Sequence, residues 1–142
     1  MYSIQKRVDT VMISGNDLMQ ASMSGPDHCA IIISYSGETT HILHLAKKLK
    51  SKHTPIIAIT SISKSTLVNL SDVSLRISSR EMLNTKIGDF ASTESTTCIL
   101  DILYSCYFSL NYKENLNYKL SIAGEIDDQY SEYEYIDETK IK

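Results

Sequence analysis

The sequence predicts an α/β fold, a three-layer α/β/α sandwich on a mainly parallel, doubly wound sheet. Three observations carry that expectation. Cys29–Ser34 and Ile56–Thr60 are short apolar runs without alternation. Such runs belong to parallel strands covered on both faces. Between them, Thr39–Lys50 sets Ile42, Leu43, Leu45, Ala46 and Leu49 at the 3.6-residue spacing of an amphipathic helix. The strand–helix–strand–helix order then implies βαβ units and a parallel sheet.

The remaining elements follow in chain order. Val8–Ile13 is a candidate strand, weakened at its start by Asp9. Asp17–Ser24 is a short helix or turn, closed by Gly25-Pro26. Pro55 restarts the chain before the second strand. Ser63–Leu70 is a short helix with Ser63 as its N-cap. Val73–Ile77 alternates, which suits a strand nearer the sheet edge. A long helix covers about 89–112. It can turn Phe90, Cys98, Ile99, Ile102, Leu103, Cys106 and one of Tyr107 or Phe108 toward a partner surface, inside the chain or across a dimer seam. A last helix, Glu114–Ala123, is expected to stop at Gly124. Residues 1–124 read as one domain. Residues 125–142 carry seven acidic side chains among Tyr and Ser. That acidic tail is expected to be mobile, since it buries too little apolar surface to offset its ordering entropy. The alternative is that Tyr130, Tyr133 and Tyr135 dock on a neighbour.

Composition narrows the functional class. A chain of 142 residues supports one domain with a real core. Its net charge of −3 argues against a free-standing nucleic-acid binder, which needs a basic face. Cys29, Cys98 and Cys106 are odd in number and form no CxxC, so a reducing cytoplasm is the expected location. Cys98 and Cys106 read as small core residues on one helical face. No apolar run reaches the roughly 18–20 residues of a membrane span.

The chemistry lies in the turn after the first clear strand, Ser34-Tyr35-Ser36-Gly37-Glu38-Thr39-Thr40. In open α/β sheets, ligands sit beyond the carboxyl ends of the strands. A helix N-terminus there offers unpaired N–H groups and the positive end of the macrodipole, an anion site. Gly37 permits a tight turn, and Ser34, Ser36, Thr39 and Thr40 add hydroxyl donors. The competing role is structural: Ser36 and Thr39 as helix caps, with Glu38 in the first turn. The loop is neither a Walker A nor a nucleophile elbow.

The run Ile31-Ile32-Ile33-Ser34-Tyr35-Ser36-Gly37-Glu38-Thr39 resembles the S-x-S-G-x-T signature of sugar isomerase (SIS) domains. Ile56–Ser61, Ser65–Leu70, Val73–Ile77 and Ile87–Leu103 continue the pattern. The resemblance covers about residues 5–120 and is strongest to the RpiR family of bacterial transcriptional regulators. It implies that Ser34, Ser36 and Thr39 grip the phosphate of a phosphorylated monosaccharide, with Gly37 shaping the turn and Thr40 beside them. It implies a cytoplasmic homodimer that binds effector without turnover and needs no cofactor. DNA would be contacted only through a helix-turn-helix domain, to which nothing in these residues corresponds. The family's earlier strand and serine-rich turn also lack a counterpart before Val8. Residues 1–7 look like the end of the helix that would follow that strand, so the chain reads as beginning inside the fold.

The alternative class is a phosphosugar isomerase, which needs a base near the sugar C1–C2 bond. Glu38, Glu81, Glu94 and His41 are the candidates, with Glu38, Glu81, Ser92 and Glu94 as possible ligand-side groups. Glu38 sits where the helix dipole lowers basicity, and no acid/base pair is fixed by spacing. His41 and His44 lack the further ligands of a metal site, so no metal is expected.

Overall fold

The computed structural model describes residues 6–11, 16–77 and 88–127, with side chains through residue 124. Its sheet has three parallel strands, β1 (Ala30–Ile33), β2 (Ile56–Thr60) and β3 (Val73–Arg76), in the order β1-β2-β3. Ile32 lies opposite Ala58, and Ile59 opposite Leu75. Five helices accompany the strands among the described residues: α1 (Asn16–Met23), α2 (Thr40–Ser51), α3 (Thr66–Leu70), α4 (Phe90–Leu110) and α5 (Tyr112–Asp127). The expected α/β fold with a parallel sheet and flanking helices is therefore present.

Side chains alternate across a strand, so Ile32, Ile56 and Ala58 share a face. That face meets Ala46 and Leu49 of α2, Leu67 of α3 and Ala21 of α1 in one core cluster. Ala46 and Ala58 are both 0% exposed, so helix and sheet approach closely there. Lys48 and Lys50 in the last turn of α2 complement its dipole. The helix ends where Lys52 and His53 return N–H groups to Leu49 and Lys50, and His53 takes φ 57.

Contacts divide the chain into two units, Thr10–Leu103 and Met1–Asp9 with Tyr104–Lys142. The first carries the sheet and α1–α3. In the second, Phe108 meets Tyr112 edge-on at 5.7 Å between centroids. Asn115 Nδ2 donates to the Phe108 carbonyl at 3.0 Å, which fixes the turn into α5.

Several expectations are corrected. Residues 8–11 form no strand, and Met12 and Ile13 lie outside the described residues. Lys6 and Arg7 are not helical, and residues 1–5 lie outside the description. The strand β1 is not covered on both faces: Ile31 is 37% and Ile33 48% exposed, since only the Ile32 side meets the core cluster. The N-cap of α3 is Ser65, not Ser63, because Ser65 Oγ accepts from Val68 N–H. Cys98 and Cys106 are exposed, as are Phe90 and Ile102. The apolar residues of α4 run all round the helix, and one packed side cannot cover them. Helix α5 continues through Gly124, which does not adopt the left-handed conformation that stops a helix. The acidic segment from 128 onward lies outside the described residues.

Candidate functional site

Two turns lie at the carboxyl end of adjacent strands. One joins β1 to α2 through Ser34–Thr39; the other joins β2 to α3 through Ser61–Ser65. The second turn holds the first. The Tyr35 carbonyl accepts from Ser61 N–H at 3.1 Å, from the Thr60 hydroxyl at 3.0 Å and from the Ser61 hydroxyl at 2.8 Å. Gly37 has φ 66 and sits against Ser65; a Cβ on Gly37 would lie 2.3 Å from Ser65 Oγ. Only glycine takes that backbone conformation and that approach without strain.

The loop also supplies the caps of α3. Thr66 N–H donates to Glu38 Oε1 at 2.6 Å, and Leu67 N–H donates to the Gly37 carbonyl at 3.1 Å. Val68 N–H donates to Ser65 Oγ at 3.3 Å. These amides would otherwise be among the orphan donors that open every helix. The N-terminus of α3 is thus closed by the neighbouring turn.

The N-terminus of α2 is different. Its first backbone bond runs from Leu43 N–H to the Thr39 carbonyl at 3.0 Å. Thr39 occupies the N-cap position, yet its side chain makes no capping bond. The amides before Leu43 therefore have neither an intrahelical partner nor a side-chain cap. Ser34 Oγ accepts from Gly37 N–H at 3.3 Å, and Ser36 Oγ accepts from Glu38 N–H at 3.2 Å. A hydroxyl that accepts in this way still has its own hydrogen to donate. Ser34 is buried at the base, Ser36 is half-buried, and Thr39 and Thr40 are exposed at the rim. Backbone amides, hydroxyls and the positive end of a twelve-residue helix meet at one place without a lysine or arginine in the loop.

The structure thus brings Ser34, Ser36, Gly37, Thr39 and Thr40 into one loop. It turns Glu38 away, toward α3. Hydrogen bonds from the Thr66 amide, and then its hydroxyl, hold the Glu38 carboxyl below the usual carboxylate range. Ser92, on α4, directs its hydroxyl to the Asp89 carbonyl at 3.1 Å. Glu94 is exposed on the same helix. Glu81 lies outside the described residues. His41 bonds to Asp17 of α1, and His44 is exposed. Among the described residues no group of three or more His, Cys, Asp or Glu gathers as a metal site. Thr60, Ser61, Ser65 and Thr66 support the loop and were not singled out from sequence. Their signal was the hydroxyl-rich run Thr60–Thr66, read there as a strand end and a helix cap.

Relatives of known name and structure share this arrangement's chain segment. An uncharacterised helix-turn-helix transcriptional regulator of Thermotoga maritima is 36% identical over 98 residues, covering 66% of this chain and 34% of the relative. A second such regulator, from Clostridium perfringens, is 28% identical over 109 residues, covering 77% and 39%. The chain therefore spans little more than a third of the length of these relatives. Among solved structures, Vibrio vulnificus NanR in complex with ManNAc-6P matches with a TM-score of 0.78 at 24% identity, over 91% of this chain and 48% of that one. That likeness shows the fold. The c3406 protein of Escherichia coli CFT073, in complex with arabinose 5-phosphate, matches with a TM-score of 0.59 at 25% identity, over 70% and 53%. The SIS domain model matches residues 1–105, which include the whole sheet and the loop Ser34–Thr40. By that match, the chain belongs to the SIS domain family.

Proposed function

We propose that this chain is the phosphosugar-sensing part of an RpiR-type transcriptional regulator and binds its ligand without turnover. One observation carries the reading: at the same end of the sheet, the N-terminus of α3 is capped by the loop while that of α2 is left open. A phosphate monoester, dianionic above its second pKa of about 6, suits that open end. Ser34, Ser36 and Thr39 supply hydroxyl donors, Gly37 sets the backbone approach, and Thr40 lies at the rim. The relatives named as transcriptional regulators and the neighbours solved with ManNAc-6P and arabinose 5-phosphate support the same class of ligand.

Turnover would need a base. Glu38, the carboxylate of the loop, is engaged with Thr66 and held in its ionised, weakly basic form. An isomerase reading therefore finds no support in the loop itself. Operator contact belongs to the helix-turn-helix part of such regulators. The exposed apolar side chains of α4 favour a homodimer, and three free cysteines suit the cytoplasm.

The test is thermal stabilisation of the protein by a panel of glucose, fructose and N-acetylmannosamine 6-phosphates and arabinose 5-phosphate, each beside its unphosphorylated sugar. Stabilisation by phosphorylated members alone, with no isomerised product by NMR, is the expected result. A shift that survives S36A/T39A, or any turnover, would overturn the reading. Sedimentation equilibrium tests the dimer.

A further inference from the structure

Glu38 lies inside the loop that receives the phosphate, yet its carboxylate is not directed at the ligand's position. It accepts from Thr66 N–H, the first amide of α3, at 2.6 Å. The adjacent carbonyl, Gly37, accepts the next amide of the same helix. Two successive loop residues are thus tied to two successive amides of α3. Ser34 and Ser36 accept from Gly37 N–H and Glu38 N–H, so the orientation of these hydroxyls depends on where residues 37 and 38 are held.

We propose that Glu38 is a positioning residue for phosphate binding: its bond to Thr66 N–H straps the loop to α3 and keeps the donors of Ser34, Ser36 and α2 aimed outward. The inference rests on the phosphate-site reading above and assigns a residue that does not touch the ligand. The strap has a second effect. A carboxylate beside an anion site repels the anion unless it is turned aside. Seating it on Thr66 N–H turns it aside and neutralises part of its field.

The backbone around Thr66 allows a clean test. Thr66 is the first residue of α3, and Ser65 before it has φ −112 and ψ 162. Proline is favoured at a first helical position, and the residue before a proline prefers that extended geometry. T66P therefore deletes the donor to Glu38 and leaves the helix compatible with its sequence. T66A keeps the amide and removes only the hydroxyl. E38Q keeps an acceptor oxygen without the charge, whereas E38A keeps neither.

The probe is inorganic phosphate, followed by the amide resonances of Gly37 and Thr40 in the full chain. Expected dissociation constants are about fivefold weaker in E38A and T66P, the worth of one hydrogen bond. E38Q should equal or exceed wild type, and T66A should stay within about twofold of it. E38A and T66P should not add in the double variant, since both cut one bond. Without phosphate, the Thr66 amide proton should move upfield in E38A, which reads the strap independently of any ligand. Wild-type binding unchanged in E38A, binding in E38Q as poor as in E38A, or a Thr66 resonance indifferent to E38A each overturns the proposal. A wild-type chain that leaves the Gly37 and Thr40 resonances unmoved by phosphate refutes the phosphate site itself, and the proposal with it, even where the Thr66 shift shows the strap intact.

Discussion

Replacing Gly37 with alanine tests the loop's geometry without removing any polar group. At φ 66 an L-residue meets its own backbone. Left-handed conformation costs a non-glycine residue roughly 1–2 kcal/mol. The new methyl would also lie 2.3 Å from Ser65 Oγ and 2.7 Å from Ser65 Cβ. Ser65 is 1% exposed and its hydroxyl caps α3, so it cannot swing aside freely. Overpacking of that kind costs about 1–3 kcal/mol. The two effects together predict a loss of about 2–5 kcal/mol, a large share of a typical domain's stability. Near this chain length each kcal/mol is worth about 4 °C of melting temperature. G37A should therefore melt about 8–20 °C below wild type and lose its stabilisation by phosphosugars. The companion variant S65G removes both contacting atoms and leaves Thr60 Oγ1 at 3.3 Å as the nearest neighbour. In that background G37A should cost only the left-handed strain, about 1–2 kcal/mol. Denaturant unfolding of the four proteins measures all of this. Equal cost in both backgrounds, or G37A within about 0.5 kcal/mol of wild type, would refute the steric account.

Other perturbations separate ligand contacts from structural ones. T39A should leave the unliganded melting temperature unchanged, although a capping threonine replaced by alanine usually costs about 1 kcal/mol, because Thr39 caps nothing here. The same variant should weaken phosphosugar stabilisation; a large drop without ligand would make Thr39 a cap after all. D72A removes the acceptor of Ile56 N–H, a 2.8 Å bond to a residue 1% exposed. It should cost about 1–3 kcal/mol in denaturant unfolding. Burial, and then the charge of Asp72, pushes the Cys29 thiol up, so D72A should also speed alkylation of Cys29, read by mass spectrometry. The Glu38 carboxyl is lowered in the folded chain. Its contribution to stability is therefore present above the unfolded value of about 4.3 and lost as pH falls through the folded value below it. Phosphosugar affinity should decline earlier, near pH 6, as the ester gains a proton. The Thr66 amide shift titrates the first event and calorimetry the second; coincident midpoints would contradict the assignment.

Local pattern revealed what local forces decide. The stripe Ile42, Leu43, Leu45, Ala46, Leu49 predicted α2, and it forms with its lysines at the C-terminal end. Ile56–Thr60 is a strand with the predicted bounds. The phosphate loop was visible because a strand, a glycine, hydroxyls and a helix start follow one another directly. What escaped depends on distant partners. The bond from Thr66 to Glu38 spans 28 residues, and that from Ser61 to Tyr35 spans 26. No periodicity encodes either. Choosing Ser65 over Ser63 as the cap required knowing that Gly37 would lie against it. Apolarity on both faces of β1 was legible, but not what would cover each face, and Ile31 and Ile33 remain exposed. Similarly, the apolar letters of α4 did not reveal that Cys98 and Cys106 would face outward.

The two helix starts explain why a phosphate site can lack a cation. A helix end offers its amides once, either to the protein or to a ligand. At α3 the protein takes them, through Ser65, Gly37 and Glu38. That capping fixes the loop, and a fixed loop can leave the amides of α2 without a cap. Donors held in place lose little entropy on meeting a phosphate, so neutral groups suffice. Neutral donors also set a ceiling. A lysine or arginine pair would add charge-assisted bonds and slow release, whereas a sensor must empty when its metabolite falls. Effector coupling of about 1–3 kcal/mol requires only that the two arrangements of a regulator differ in affinity by that amount. A loop whose aim depends on a few hydrogen bonds to α3 can supply such a difference if α3 shifts between them. Catalysis would ask more of the same residues: a free base beside the sugar, where the structure instead ties its carboxylate to Thr66.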